Sequence, residues 1–253
     1  MLATFAVAIL ALYLLIAEPL LGRRAHNRLL SALDAGRPDA RRRFYRRWIW
    51  QGWALLLVTL IVTLGLAGWA PARLGLGWPH WPAGVTGGLL VGLAAGVGLA
   101  SASGLVTSWM KTRQRKGMPP AQPLRVGNGY QLLRMLPRTP AERRSFAALS
   151  LTAGITEEVI WRGFGLGLLF ALLPQAPVAV SIVLAALAFG WAHLYQGRTG
   201  ILVTGVLGGL FAWLYWATGS LLLPMLLHVL VDLRAAFLPV PADAPAMAGT
   251  PAP

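Results

Sequence analysis

Long apolar runs alternate with short polar ones along this chain. Stretches of roughly 20 apolar residues, the length that crosses a bilayer as a helix, fall at residues 2–21, 48–69, 83–109, 146–172, 177–195, 199–217 and 220–238. The pattern predicts an all-α fold, a polytopic transmembrane helical bundle of about seven spans. In the third run Gly88, Gly92 and Gly96 recur every four residues, a spacing that lets helix backbones approach closely. Gly163, Gly165 and Gly167 read the same way, as packing positions and not as a phosphate-binding loop. Residues 111–144, with Pro119, Pro120, Pro123, Pro137 and Pro140, predict a linker carrying a short interfacial helix over 130–136. The Pro/Ala-rich residues 239–253 predict a disordered tail. Four regions follow: a three-span membrane region over 1–110, a basic linker over 111–144, a four-span unit over 145–238 and the tail.

Composition supports the membrane setting and charge orients it. The 253 residues are 57% hydrophobic and only 12% charged, against about a quarter charged in soluble domains. The net charge of +14 raises the question of nucleic acid, but nine of the 22 basic residues lie between Arg23 and Arg47 and nine more between Lys111 and Arg144. Two basic loops flanking a nearly uncharged one match the positive-inside rule. Both basic loops are expected in the cytoplasm against anionic lipid head groups, with the N-terminus outside and the C-terminus inside, and no nucleic acid partner. The turn at 70–82, with Trp69, Trp78 and Trp81 around it, is expected at the external interface. Charges Arg23 and Arg24 follow the first apolar run instead of preceding it, so that run reads as a retained anchor and not a signal peptide. Absence of cysteine excludes disulfides and thiolate metal sites. The excess of Arg over Lys suggests a GC-rich bacterial genome, and hence the bacterial plasma membrane.

The candidate chemistry lies in the last four runs. Between Ser145 and Phe237 the only acids are Glu157, Glu158 and Asp232, and the only histidines are His193 and His228. Each stands in or at the end of an apolar run, where a charge costs several kcal/mol unless it is paired or faces a wet cavity. The first three runs hold only Glu18, beside Pro19 near a span end, where it is expected to reach the interface. Glu158 and Arg162 are four apart and share a helix face in the favourable order, which leaves Glu157 about 100° away. His228 and Asp232 also share a face, where the carboxylate can fix the imidazole tautomer or join it as a metal ligand. The residues alone leave two readings: a buried ion-pair cluster with hydrogen-bonded histidines, or one reactive site shared by three helices.

The patterns EExxxR at Glu157 to Arg162, FxxxH at Phe189 to His193 and HxxxD at His228 to Asp232 resemble, in order, those of the CPBP intramembrane metalloprotease family. That family includes the type II CAAX prenyl endopeptidases and bacterial relatives noted in bacteriocin self-immunity, and the resemblance covers residues 145–238. It implies a CAAX-protease-like catalytic unit whose polar site opens to the cytosol and hydrolyses a peptide bond of a membrane-associated peptide or protein. By position, Glu157 would activate water, with His193, His228 and Asp232 lining the site and Glu158, Arg162 and Phe189 supporting it. Two mechanisms stay open: a divalent metal such as zinc held by His193, His228 and Asp232, or imidazole donors to the oxyanion with no metal. A non-catalytic scaffold or immunity-type protein, or an ion or proton transporter, is the alternative from another class. At 1.5 Å rise per residue, Glu157 is roughly 18 Å from Ser145, so the first turns of its helix are expected to project from the membrane. One shared site requires Glu157 within about 10 Å, a helix diameter, of a histidine.

Overall fold

The computed structural model describes residues 1–84, 87–88, 91–92, 95–96, 98–99 and 132–238. Among them there is no strand, and the fold class is all-α. Helix α1 runs unbroken over Leu2–Asp34 and α2 over Ala40–Leu66. Both extend well past the apolar runs that announced them. At 33 residues, α1 is about 50 Å long, against a hydrocarbon core of about 30 Å. The basic stretch expected as a loop is therefore mostly helical, reversing only between Ala35 and Asp39. It folds this way because it is amphipathic: Gly22, His26 and Leu29 are buried while Arg23, Arg24 and Arg28 face out, the alternation of a half-buried helix. Leu29, Ala40, Phe44 and Tyr45 form a small core there with Phe146 and Leu149.

Helix α3 is built from Pro140–Glu157, a π-helical stretch Glu158–Leu166 and Gly167–Leu172. Its start is fixed by a capping box. The Glu142 amide donates to Thr139 Oγ1 at 3.1 Å, and the Thr139 amide donates to Glu142 Oε2 at 3.0 Å. The expected interfacial helix at 130–136 reduces, in its described part, to a single turn at 132–136. That turn docks on the α1–α2 tip: Arg41 Nε donates to the Arg134 carbonyl at 2.8 Å, Tyr45 donates to the Met135 carbonyl, and Arg134 pairs with Asp34 at 2.6 Å. Helix α4 spans Val178–Ala192, a 3-10 turn at Leu194–Gln196 leads into α5 over Gly197–Thr218, and α6 spans Leu222–Ala235.

Three helical stretches are long and apolar enough to cross a membrane, Leu2–Asp34, Ala40–Leu66 and Leu194–Thr218. They coincide with the first, second and sixth expected spans. The fourth and seventh fail this criterion for a physical reason: α3 carries Glu157, Glu158 and Arg162 at its middle, and α6 is only 14 residues long with His228 and Asp232 inside it. The fifth, α4, is apolar throughout but has 15 residues, a reach of about 22 Å. Most of the third, 83–109, lies outside the described residues, as do 111–131 and 239–253.

Helix α3 is the axis of the fold, packed against α1, α2, α4, α5 and α6. On one side Ile160, Trp161 and Phe164 meet Leu10 and Leu14 of α1, Val62 of α2 and Phe189 of α4. On the other Val159 and Leu166 meet Leu56, Ala212 and Tyr215. Gly163 and Gly167 pack as their spacing predicts, since a Cβ would come within 3.0 Å of the Leu74 carbonyl and 3.2 Å of the Trp69 ring. At Gly88, Gly92 and Gly96 a Cβ would meet nothing among the described residues, so the packing expected there is not seen. The turn after α2 is tied down over the α5–α6 junction: Tyr215 donates to the Arg73 carbonyl at 3.0 Å and Ser220 Oγ to the Gly77 carbonyl at 2.6 Å. Trp78 and Trp81 stay exposed.

Helices α3 and α6 cross closely at Gly154. A Cβ there would lie 2.4 Å from Val229 Cγ2, 3.0 Å from the Val229 nitrogen and 3.2 Å from the Met225 carbonyl oxygen. Two of these neighbours are backbone, so α6 itself has to move. Gly154→Ala is expected to destabilise by about 1–3 kcal/mol, the usual range for overpacking, read as a lower melting temperature in detergent. An unchanged melting temperature would show that α6 yields at this crossing without cost.

Candidate active site

The three motifs converge on the middle of α3. Where Glu158 begins, the helix widens from α to π geometry, a distortion that alters which faces the following side chains present and that recurs at functional sites. The nine-residue π stretch is buried almost throughout. Glu158 and Arg162, at 0% and 2% side-chain exposure, pair at 2.8 Å between Oε1 and Nη1. Arg162 reaches beyond its own helix: Nη2 donates to the Gly208 carbonyl of α5 at 3.3 Å, and the guanidinium lies 4.1 Å from the Phe189 ring centroid of α4. A planar cation with several donors serves a carboxylate, a carbonyl and a ring at once, which lysine cannot.

The sequence did not announce the next contact. His228 Nδ1 of α6 donates to Glu158 Oε1 at 2.6 Å, so one buried carboxylate oxygen holds both Arg162 and His228. The other ring nitrogen, Nε2, stands 3.8 Å from Asp232 Oδ2 one turn along the same helix. That distance is within ion-pair range and beyond a hydrogen bond. A carboxylate does orient His228, but the one in hydrogen-bond contact is Glu158 and not Asp232.

His193 ends α4, with φ −92° and ψ 25°. Its Nδ1 lies 2.8 Å from the Phe189 carbonyl oxygen. A carbonyl only accepts, so Nδ1 carries the proton, and in the neutral ring Nε2 presents its lone pair. That lone pair faces Glu157 Oε2 at 3.9 Å, well inside the limit set for a shared site. Phe189 sits beneath both rings, 4.7 Å from His193 and 6.2 Å from His228 between centroids. Phe189 therefore joins Arg162 to both histidines. The site is also graded in exposure: Glu158 and Arg162 are sealed, while Glu157 at 28% and Asp232 at 38% reach the surface.

The metal set expected from His193, His228 and Asp232 is not drawn together as a ligand group: among the described residues no three histidine, aspartate or glutamate side chains gather as ligands. Both Nδ1 atoms are engaged by acceptors, which leaves each Nε2 as the free ring nitrogen, that of His193 toward Glu157 and that of His228 toward Asp232.

One acid was misassigned. Glu18 does not reach for the interface; it lines a cavity of about 40 Å³ together with Glu157, Trp48, Gln51, Thr152 and Thr156. The signal was present in the sequence, since Glu18 stands in an apolar run as the other site acids do. Its place beside Pro19 and a predicted span end masks that signal.

No curated protein and no solved structure matches this chain. A family model described as Type II CAAX prenyl endopeptidase Rce1-like matches residues 141–234. The matched stretch contains Glu157, Glu158, Arg162, Phe189, His193, His228 and Asp232, and it leaves out α1 and α2. Residues 141–234, which bring all three motifs into one buried site, are therefore similar to the Rce1-like type II CAAX prenyl endopeptidases.

Proposed function

We propose that the chain is an intramembrane endopeptidase that hydrolyses a peptide bond of a membrane-associated peptide or protein at the site formed by Glu157, His193 and His228. The observation that carries this reading is the pairing of Glu157 Oε2 with His193 Nε2 at 3.9 Å. The gap is too wide for a direct hydrogen bond and suits one water bonded to both. Such a water gives one hydrogen to the carboxylate and the other to the imidazole lone pair, and it turns its own lone pair toward an incoming carbonyl carbon.

The reaction balances with these groups alone. Glu157 takes a proton as the water oxygen bonds to the carbonyl carbon, and the carbonyl oxygen becomes an oxyanion. His228, locked by Glu158 on Nδ1, turns a protonated Nε2 to that oxyanion, with Asp232 Oδ2 3.8 Å from the same nitrogen. Glu157 then returns its proton to the leaving amine nitrogen as the C–N bond breaks and the oxyanion re-forms the carbonyl, leaving a carboxylic acid that passes its proton to the released amine. General base catalysis of this kind contributes about 10²–10⁴-fold, and an oxyanion donor about 10²–10³-fold. Arg162 holds Glu158, and through Phe189 it holds the ring plane of His193.

The same reading places both basic segments and the open side of the site toward the cytosol, with the N-terminus outside, supported by the clustering of basic residues at the α1–α2 tip and between Lys111 and Arg144. The protein in liposomes, incubated with a farnesylated CAAX peptide and a panel of unmodified membrane peptides, is expected to release a product with a new C-terminal carboxylate, identified by mass spectrometry. The rate is expected to survive a chelator. Activity lost to chelation and restored by zinc would replace the water-only mechanism with a metal one, and no cleavage of any peptide would favour a scaffold.

A further inference from the structure

Hydrolysis consumes one water per turnover, and although the Glu157 side chain is 28% exposed its Oε2 is shut off from solvent, so water has to be brought to that oxygen. The supply is built from α1, outside the family-matched residues. Pro19 has no N–H to offer the carbonyl of Leu15 four residues earlier. The helix answers with a π-turn over Tyr13–Ala17, and the Leu15 carbonyl instead accepts from Trp191 Nε1 of α4 at 2.9 Å. The helix continues from Glu18 and is pressed onto the site. At Gly22 a Cβ would already touch Trp48 Cη2 at 3.4 Å and Tyr195 Cδ1 at 3.7 Å. The Tyr195 ring lies 6.1 Å from Trp48 and 5.8 Å from His193 between centroids.

Glu18 and Glu157 thereby face one cavity of about 40 Å³. One water needs about 10–15 Å³ and two to four polar partners, so the cavity holds two or three. The partners are there. Glu18 Oε2, Glu157 Oε2 and Trp48 Nε1 are all shut off from bulk solvent, and none makes a hydrogen bond with the protein among the described residues; Gln51 and Thr156 complete the polar wall. A carboxylate in an apolar run is tolerated where it faces such a wet cavity.

We propose that Glu18 is a positioning residue for hydrolysis, its carboxylate anchoring the water file from which the water activated by Glu157 is replaced. This rests on the peptidase reading above and extends it to a helix that the family match does not cover. The absence of cysteine from the chain makes a single-site test possible. Glu18→Cys in the full-length protein in liposomes, with the farnesylated CAAX peptide as probe, is expected to lower kcat at least about tenfold, in the range of a lost positioning contact, with KM nearly unchanged. Alkylation with iodoacetate, which returns a carboxylate, is expected to restore most of the rate; iodoacetamide, of equal size and neutral, is not. Glu18→Gln, close in shape, is expected to keep the melting temperature and lose part of kcat. Equal rescue by both reagents, or rates that simply follow melting temperature, would reduce Glu18 to a packing role. If the wild type cleaves nothing, the peptidase reading fails on its own, and alkylation still decides the pocket: Glu18→Cys reacting while Leu14→Cys in the dry core does not supports a wet cavity, and an unreactive Glu18→Cys overturns it.

Discussion

Glu157→Gln is expected to lower kcat by about 10³-fold, within the range for loss of a general base, while the melting temperature in detergent stays within a few degrees. The two side chains have the same shape, but an amide cannot take the proton of the attacking water. No protein bond is lost in the exchange, because Glu157 Oε2 accepts none among the described residues and the imidazole it faces, at His193 Nε2, is 3.9 Å away. The variant therefore separates chemistry from folding. Single-turnover cleavage beside a thermal melt measures both, and a variant that cleaves at the wild-type rate would remove Glu157 from the mechanism.

Arg162→Met has the opposite signature, with its largest effect on the fold. It removes the 2.8 Å bond to Glu158 and the 3.3 Å bond to the Gly208 carbonyl, and it leaves Glu158 fully buried with His228 as its remaining partner. Breaking a buried pair from one side costs about 3–5 kcal/mol, a loss on the order of 10 °C in melting temperature for a chain of this size. The double variant Arg162→Met with Glu158→Gln is expected to recover part of that loss, since no unpaired buried charge remains. It is not expected to recover activity, because His228 loses the carboxylate that fixes its ring. A single variant that melts like the wild type would show that Arg162 is not the cation sustaining Glu158.

Much of this site could be read before any fold was known. Charged groups in apolar runs are costly wherever they point, so Glu157, Glu158, His193, His228 and Asp232 stood out by position alone. Four-residue spacing correctly put Glu158 and Arg162 on one face, because that contact lies within a single helix. Spacing could not supply partners on other helices. The bond from His228 to Glu158, the Arg162 contact with Phe189 and the turning of Glu18 into the Glu157 cavity depend on how α1, α3, α4 and α6 cross, and the π stretch at Glu158–Leu166 shifts the faces that an ideal helix would present. The same limit explains the spans. Hydropathy records how apolar a segment is, not how long its helix runs, so α1 and α2 were cut short at their basic ends. Helices α3 and α6, sheltered by their neighbours, could carry polar groups and in the case of α6 stay short.

In the proposed mechanism Glu157 and His193, on different helices, act on one water. A double-mutant cycle of single-turnover cleavage with Glu157→Gln, His193→Gln and the two combined tests it most directly, because groups that act as a unit lose their effect together. The expected result is that the double variant is no slower than the slower single variant, with both single variants retaining the wild-type melting temperature. Rate losses that multiply in the double variant would contradict the shared water and divide the site into two independent parts.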